Sequence, residues 1–152
     1  MSRKFHLQPL LDLAGYKSDS RGSELTQLRA RMSVAQEKLT QLEQYRSDYS
    51  DALTEKMCTG MDAGHLREYR VFLASLDTAI AQQNEEVGRC LLAWEAARVK
   101  WEEARRELKA YDVLADRHQA AEAKREARVE QKEHDDLTAT RPGIRSDPNP
   151  RN

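Results

Sequence analysis

The sequence is poor in glycine and proline, the residues on which most turns depend. Its 152 residues include only 6 glycines and 4 prolines. Large apolar side chains are also too few for a compact core of this length, because alanine makes up a large share of the 39% hydrophobic fraction. Since 34% of the residues are charged, the composition is typical of long helices or a coiled coil.

Cysteine, net charge and long apolar runs are scarce as well. The two cysteines, Cys58 and Cys90, lie far apart in the sequence, which favours reduced thiols over a disulfide framework. The net charge of −1 comes from interspersed basic and acidic residues, and this argues against a nucleic-acid or anionic-membrane surface. No apolar run reaches the roughly 18–20 residues of a membrane span, and none resembles a signal peptide. We therefore expect a cytoplasmic protein with no nucleic-acid partner and no direct membrane insertion.

Sequence motifs for catalysis and metal binding are missing. There is no glycine-rich phosphate loop and no nucleophile elbow. The histidines have no cysteine or carboxylate partners at metal-ligand spacing, and the sequence around His134 is better explained as a solvated charge run. These histidines are His6, His65, His118 and His134. The sequence predicts a protein that is not an enzyme and that holds no metal and no cofactor.

Three regions of the sequence interrupt the helical pattern. Pro9 fits the first turn of a helix, where its missing N–H costs little. Residues 58–64 contain two glycines and form the strongest turn signal. Three prolines and a glycine follow residue 140. We predict one hairpin domain over residues 1–140, with helices at about 8–58 and 63–138, a turn at about 59–64, and a disordered tail at 141–152.

Apolar residues recur at heptad spacing in both helical stretches, and we call these positions the seam. In the first stretch they include Leu25, Leu28, Met32, Ala35, Leu39, Leu42, Tyr49 and Leu53. In the second they include Leu66, Tyr69, Leu73, Leu76, Ile80, Val87, Trp94, Trp101 and Leu108. Because the turn is short, the helices must run antiparallel. The predicted fold is all-α, a long antiparallel two-helix coiled-coil hairpin.

Two parts of this hairpin depart from a regular seam. Around Ser18 and Arg21 the seam is polar and flanked by glycines, which predicts a loosely packed or bent section. The second helix is also the longer one, and Ala115 is expected to be about the last residue with a partner. Residues 116–137 are therefore predicted to project as a polar arm that frays on its own.

Tyr45 and Phe72 lie one position outside the seam, and the antiparallel fold places them on one flank near the turn. With their neighbours they form what we call the aromatic patch, which consists of Leu42, Tyr45, Tyr49, Phe72, Leu76 and Ala79. Aromatic side chains are common anchors of protein interfaces. For Tyr49 and Leu76, packing within the seam is an equal alternative. For Tyr45 and Phe72 we favour docking of a partner.

The spacing of these aromatics around the turn resembles that of the FliJ family, the small coiled-coil proteins of the bacterial flagellar type III export apparatus. The resemblance covers most of the chain and is clearest in residues 42–119. It is carried by Tyr45, Tyr49, Met57, Gly60, Tyr69, Phe72, Leu76, Ile80, Trp94 and Trp101.

The resemblance implies a coiled coil similar to the central stalk of rotary ATPases. Such a protein would bind the export ATPase FliI and the export gate protein FlhA, and would recycle substrate chaperones at the cytoplasmic face of the inner membrane. The family's FlhA-binding surface falls on the aromatic patch, while Lys38 and Gln83 at its edge depart from the family pattern. The ATPase and chaperone sites are expected on residues 116–137 and at the terminal ends of the hairpin.

Other functions stay open at this stage. The stalk of a virulence type III secretion system has the same architecture, and periodicity does not separate it from the flagellar one. A homodimeric coiled-coil scaffold is a second class, which predicts self-association and gives Tyr45 and Phe72 no role. A helical nuclease or metal protein is disfavoured by the neutral charge and the scattered histidines.

Overall fold

The fold is two long helices joined by a three-residue turn. The computed structural model describes residues 2–140 and Gly143. Helix α1 spans Gln8–Thr59 and helix α2 spans Ala63–Ala139. They pack against each other along most of the length of α1, and no strand occurs in the described residues. The predicted all-α antiparallel hairpin is confirmed.

Local sequence explains where the helices begin and end. Pro9 occupies the first turn of α1, where its fixed φ suits the helix and no N–H is needed. At the other end, Gly60 has a φ of 98°, a left-handed conformation that costs glycine little because it has no Cβ. This residue stops α1, and Met61 and Asp62 lead directly into α2.

The seam residues lie between the two helices. All of those named above are buried or half-buried. The most buried residues are mainly small: Ala14, Ser18, Ala35, Leu76, Ala97 and Ala104. Because a pair of helices has no third element to cover its flanks, small side chains at the centre of the seam are covered most completely, and most larger ones keep an exposed edge.

The expectation of loose packing around Ser18 is wrong. Helix α1 runs through this section without a break, and Ser18 is only 7% exposed. A Cβ added to Gly22 would lie 3.2 Å from Nε1 of Trp101 on α2. The small residues of α1 therefore let the Trp101 ring fit closely against the helix backbone, which is how large and small residues combine in a dense interior.

The paired part of the hairpin extends further than Ala115. Residues 3–7, which we call the N-terminal segment, precede α1 and lie along α2 as far as His118 and Glu122. Residues 126–140 are all exposed. The unpaired part of α2, which we call the free end, is thus residues 126–139, shorter than the predicted arm at 116–137.

Three further predictions concern the C-terminal tail, membrane-spanning helices and metal sites. The predicted disordered tail lies outside the described residues, apart from Gly143. Within the described residues, neither helix is long and apolar enough to cross a membrane. The same residues contain no cluster of three or more histidines, cysteines and carboxylates that could hold a metal ion.

Candidate partner-binding surface

Aromatic rings from both helices meet on one flank of the hairpin near the turn. The centroids of Tyr49 and Phe72 lie 4.4 Å apart, and those of Tyr49 and Tyr69 lie 4.7 Å apart. The centroid of the Tyr45 ring lies 6.0 Å from that of Phe72, in an edge-to-face arrangement, and 6.2 Å from that of Tyr49, in a tilted one. These distances fall within the range of favourable aromatic pairs. Four rings separated by up to 27 residues in the sequence therefore form one cluster.

The members of the aromatic patch differ in how much of each is available to a partner. Tyr45 is 53% exposed, whereas Leu76 is 7% exposed. Leu42, Tyr49, Phe72 and Ala79 are half-buried. Leu76 therefore belongs to the interior of the hairpin, which agrees with the alternative that this residue packs within the seam. The accessible part of the patch is led by Tyr45, with the edges of Phe72 and Tyr49 beside it.

The rings pack mainly against one another, but charged side chains flank them. Lys56 lies with Nζ 5.1 Å from the centre of the Tyr69 ring, close enough for a cation–π contact. The neighbouring Tyr69 raises the pKa of Lys56. Arg46 pairs with Asp77 across the helices, and the hydrogen bond from Arg46 holds the pKa of Asp77 below its usual value. Both contacts join α1 to α2 beside the patch.

One exposed apolar residue beside Phe72 escaped the sequence analysis. Val71 is 70% exposed. Val71 and Phe72 line a shallow hollow on α2 together with Arg67, Glu68 and Ser75. Val71 faces away from the seam, so heptad analysis passes over it. A search for apolar residues at outward positions next to Phe72 could have found it.

The edge of the patch toward the middle of the hairpin is polar. The Gln83 side chain donates a hydrogen bond from Nε2 to the carbonyl oxygen of Ala35 at 2.8 Å. Lys38 is exposed on the facing helix. These are the two positions that depart from the family pattern, and Gln83 is used in joining α2 to α1.

Comparison with known proteins gives consistent matches over almost the whole chain. A family model described as Flagellar FliJ protein matches residues 3–145. The flagellar FliJ protein of Salmonella typhi is 29% identical over 137 residues, which cover 90% of this chain and 93% of the relative. That of Escherichia coli (strain K12) is 27% identical over 131 residues, covering 86% and 89%.

A solved structure shows the same architecture. It is that of a protein described as a YscO homologue from Chlamydia trachomatis, and it covers 90% of this chain and 93% of its own, with a TM-score of 0.54. At 20% sequence identity, this likeness concerns the fold. Since the family model spans nearly all of the sequence, the chain belongs to the flagellar FliJ protein family.

Proposed function

We propose that this protein is the coiled-coil stalk of the flagellar type III export apparatus, located at the cytoplasmic face of the inner membrane. The family match over residues 3–145 carries the proposal, and the rod shape agrees with it. The same match favours the flagellar system over its virulence counterpart. The protein acts by binding other proteins, with no catalytic step of its own.

The stalk binds the ATPase FliI in the centre of its ring. An asymmetric rod inside a ring makes different contacts with different subunits, so it favours some states of the ring over others. The part that enters the ring is the open end of the hairpin, which carries the free end of α2. The free end also provides a helix on which substrate chaperones are exchanged.

The aromatic patch binds the gate protein FlhA. Tyr45 supports this part of the proposal. Its ring is 53% exposed and lies beside three other rings, so a partner would bury apolar area there with little further loss of side-chain entropy. Burying one such ring gains about 1.5–3 kcal/mol. Contact with the gate at the turn and with the ATPase at the open end would let one rigid rod couple the two.

The test is a pull-down with the cytoplasmic domain of FlhA. The compared proteins are the wild type, Tyr45→Ala and the double variant Tyr45→Ala/Phe72→Ala. Losing one buried ring should weaken binding by about tenfold or more. The matched control is Tyr16→Ala, which removes a tyrosine that is 74% exposed at the far end of α1 and should leave binding unchanged.

Circular dichroism of each variant separates lost contact from lost fold. Phe72 packs on Tyr49 within the hairpin, so the single Tyr45 variant is the more direct probe. If wild type binds and Tyr45→Ala binds equally well, the patch is the wrong surface although the partner stands. A wild-type protein that fails to bind FlhA and sediments as a stable homodimer would instead support the scaffold alternative.

A further inference from the structure

The N-terminal segment makes a set of contacts with α2 that the proposed function does not use. The backbone N–H of Arg3 donates to Oε2 of Glu122 at 3.2 Å. Nε2 of His118 lies 2.8 Å from the carbonyl oxygen of Arg3, and in this contact the ring nitrogen is the donor. The Phe5 ring lies 5.5 Å from the ring of His118. One residue of backbone and one aromatic ring thus hold the segment in place.

These contacts continue the pairing of α2 beyond the first residue of α1. His118 and Glu122 stand at seam positions, but they are polar, so an apolar helix opposite them would leave them without partners. The extended N-terminal segment offers them a free carbonyl oxygen and a free N–H instead. Glu122 also accepts from Arg125 at 2.7 Å, and its side chain is only 14% exposed.

We expect the N-terminal segment to detach from α2 at a lower free energy than the two helices separate. Residues 2–5 have no regular secondary structure, and Phe5 is joined to the start of α1 by a hydrogen bond from the N–H of Gln8 to its carbonyl oxygen at 3.1 Å. Arg3 and Lys4 are exposed and Phe5 is half-buried. Segments with few buried apolar contacts and exposed hydrogen bonds open at lower free energy than a packed core.

We propose that the N-terminal segment is a releasable strap that sets where the unpaired part of α2 begins. With the strap in place, only residues 126–139 are free. When it is released, α2 is unpaired from about residue 116 onward, which lengthens the free helix by about 15 Å. The face of α2 around His118 and Glu122 is then uncovered.

Hydrogen exchange of the full chain, followed by mass spectrometry, tests the strap. The two variants are Phe5→Ala, which removes the ring contact, and His118→Ala, which removes the donor to Arg3. Either change should speed amide exchange in residues 116–125 by about fivefold, the factor that one modest hydrogen bond or ring contact provides. Exchange around Leu76, in the buried part of the hairpin, serves as the internal reference and should not change.

The variant His118→Ala separates loss of the strap from a change in helix propensity. Alanine favours a helix more than histidine does, so by local propensity alone this variant would slow exchange in α2. Faster exchange must therefore come from loss of the strap. Lys4→Ala is the matched control, because Lys4 lies between the two contacting residues and is exposed. The proposal is overturned if either variant exchanges at residues 116–125 as slowly as wild type.

Discussion

Trp101 and Gly22 show how single residues set the distance between two helices. The indole of Trp101 is accommodated because Gly22 has no side chain, and Arg105 lies 4.8 Å above the same ring. Trp94, one heptad earlier, has an Nε1 that is buried without a hydrogen-bond partner among the described residues. The Trp94 ring is thus packed at the expense of its polar atom.

Three glycine substitutions should have three different effects on stability. Gly88→Ala places a Cβ in open space on α2, so the gain in helix propensity should raise stability by about 0.5–1 kcal/mol. Gly22→Ala gains less, because the new Cβ would press on Trp101. Gly60→Ala should destabilise, since φ there is +98°. Urea denaturation followed by circular dichroism measures all three.

The ranking of the three variants by stability tests the contact at Gly22 and the conformation of Gly60. If Gly22→Ala stabilised the protein as much as Gly88→Ala, the close contact with Trp101 would not exist in solution. If Gly60→Ala had no effect, the turn would not depend on a left-handed residue.

At the scale of the helices, the hairpin is defined by unequal lengths. Helix α2 has 77 residues and α1 has 52. The N-terminal segment covers part of the difference, and the free end remains exposed. A helix as short as the free end is only marginally stable without tertiary contacts, so the free end should contribute to binding and not to the stability of the hairpin.

Truncation after Arg125 tests this division. Because residues 126–140 are exposed throughout, removing residues 126–152 should change the free energy of unfolding by less than about 0.5 kcal/mol. Binding to FlhA should be retained, while binding to FliI or the chaperones should be lost. Thermal unfolding and pull-downs with each partner provide the measurements.

Truncation after Ala115 is the matched comparison. It also removes His118 and Glu122, which hold the N-terminal segment, so it should lower stability where the shorter truncation does not. Equal stability of the two truncated proteins would show that the N-terminal contacts add nothing to the hairpin.

Over the residues that the structure describes, the molecule is a rod with no closed core. Its accessible surface is 12511 Å², whereas a compact protein of this mass exposes roughly 7,900 Å². With so little area enclosed, the structure leaves a long surface accessible, which agrees with the proposed role as a stalk.

Small-angle scattering should show this shape directly. The 77 residues of α2 give a length of about 115 Å, and a thin rod of that length has a radius of gyration of about 33 Å. A compact chain of this size would give about 15 Å. The forward scattering should correspond to one chain. A mass of two chains would favour the homodimeric scaffold, and a small radius would contradict the extended hairpin.

The sequence alone determined the fold class and the layout of the seam. Heptad spacing of leucines and tryptophans on both sides of one glycine-containing turn allows few arrangements other than an antiparallel hairpin, and it also brought Tyr49 close to Phe72. Both results depend on local periodicity and on the shortness of the turn, and both can be read from residue spacing. The binding role of the aromatic patch remains a prediction.

The tertiary structure decided which side chains are accessible and where the pairing ends. Leu76 lies in the seam and is 7% exposed, whereas Tyr45 lies one position outside it and is 53% exposed, because a small difference in angle around the helix decides how far a side chain faces the partner helix. The contacts of Arg3 and Phe5 with α2 join residues more than 110 positions apart, and no periodic pattern predicts them. A period fixes the face that a helix buries, whereas contacts between distant, irregular segments depend on three-dimensional packing.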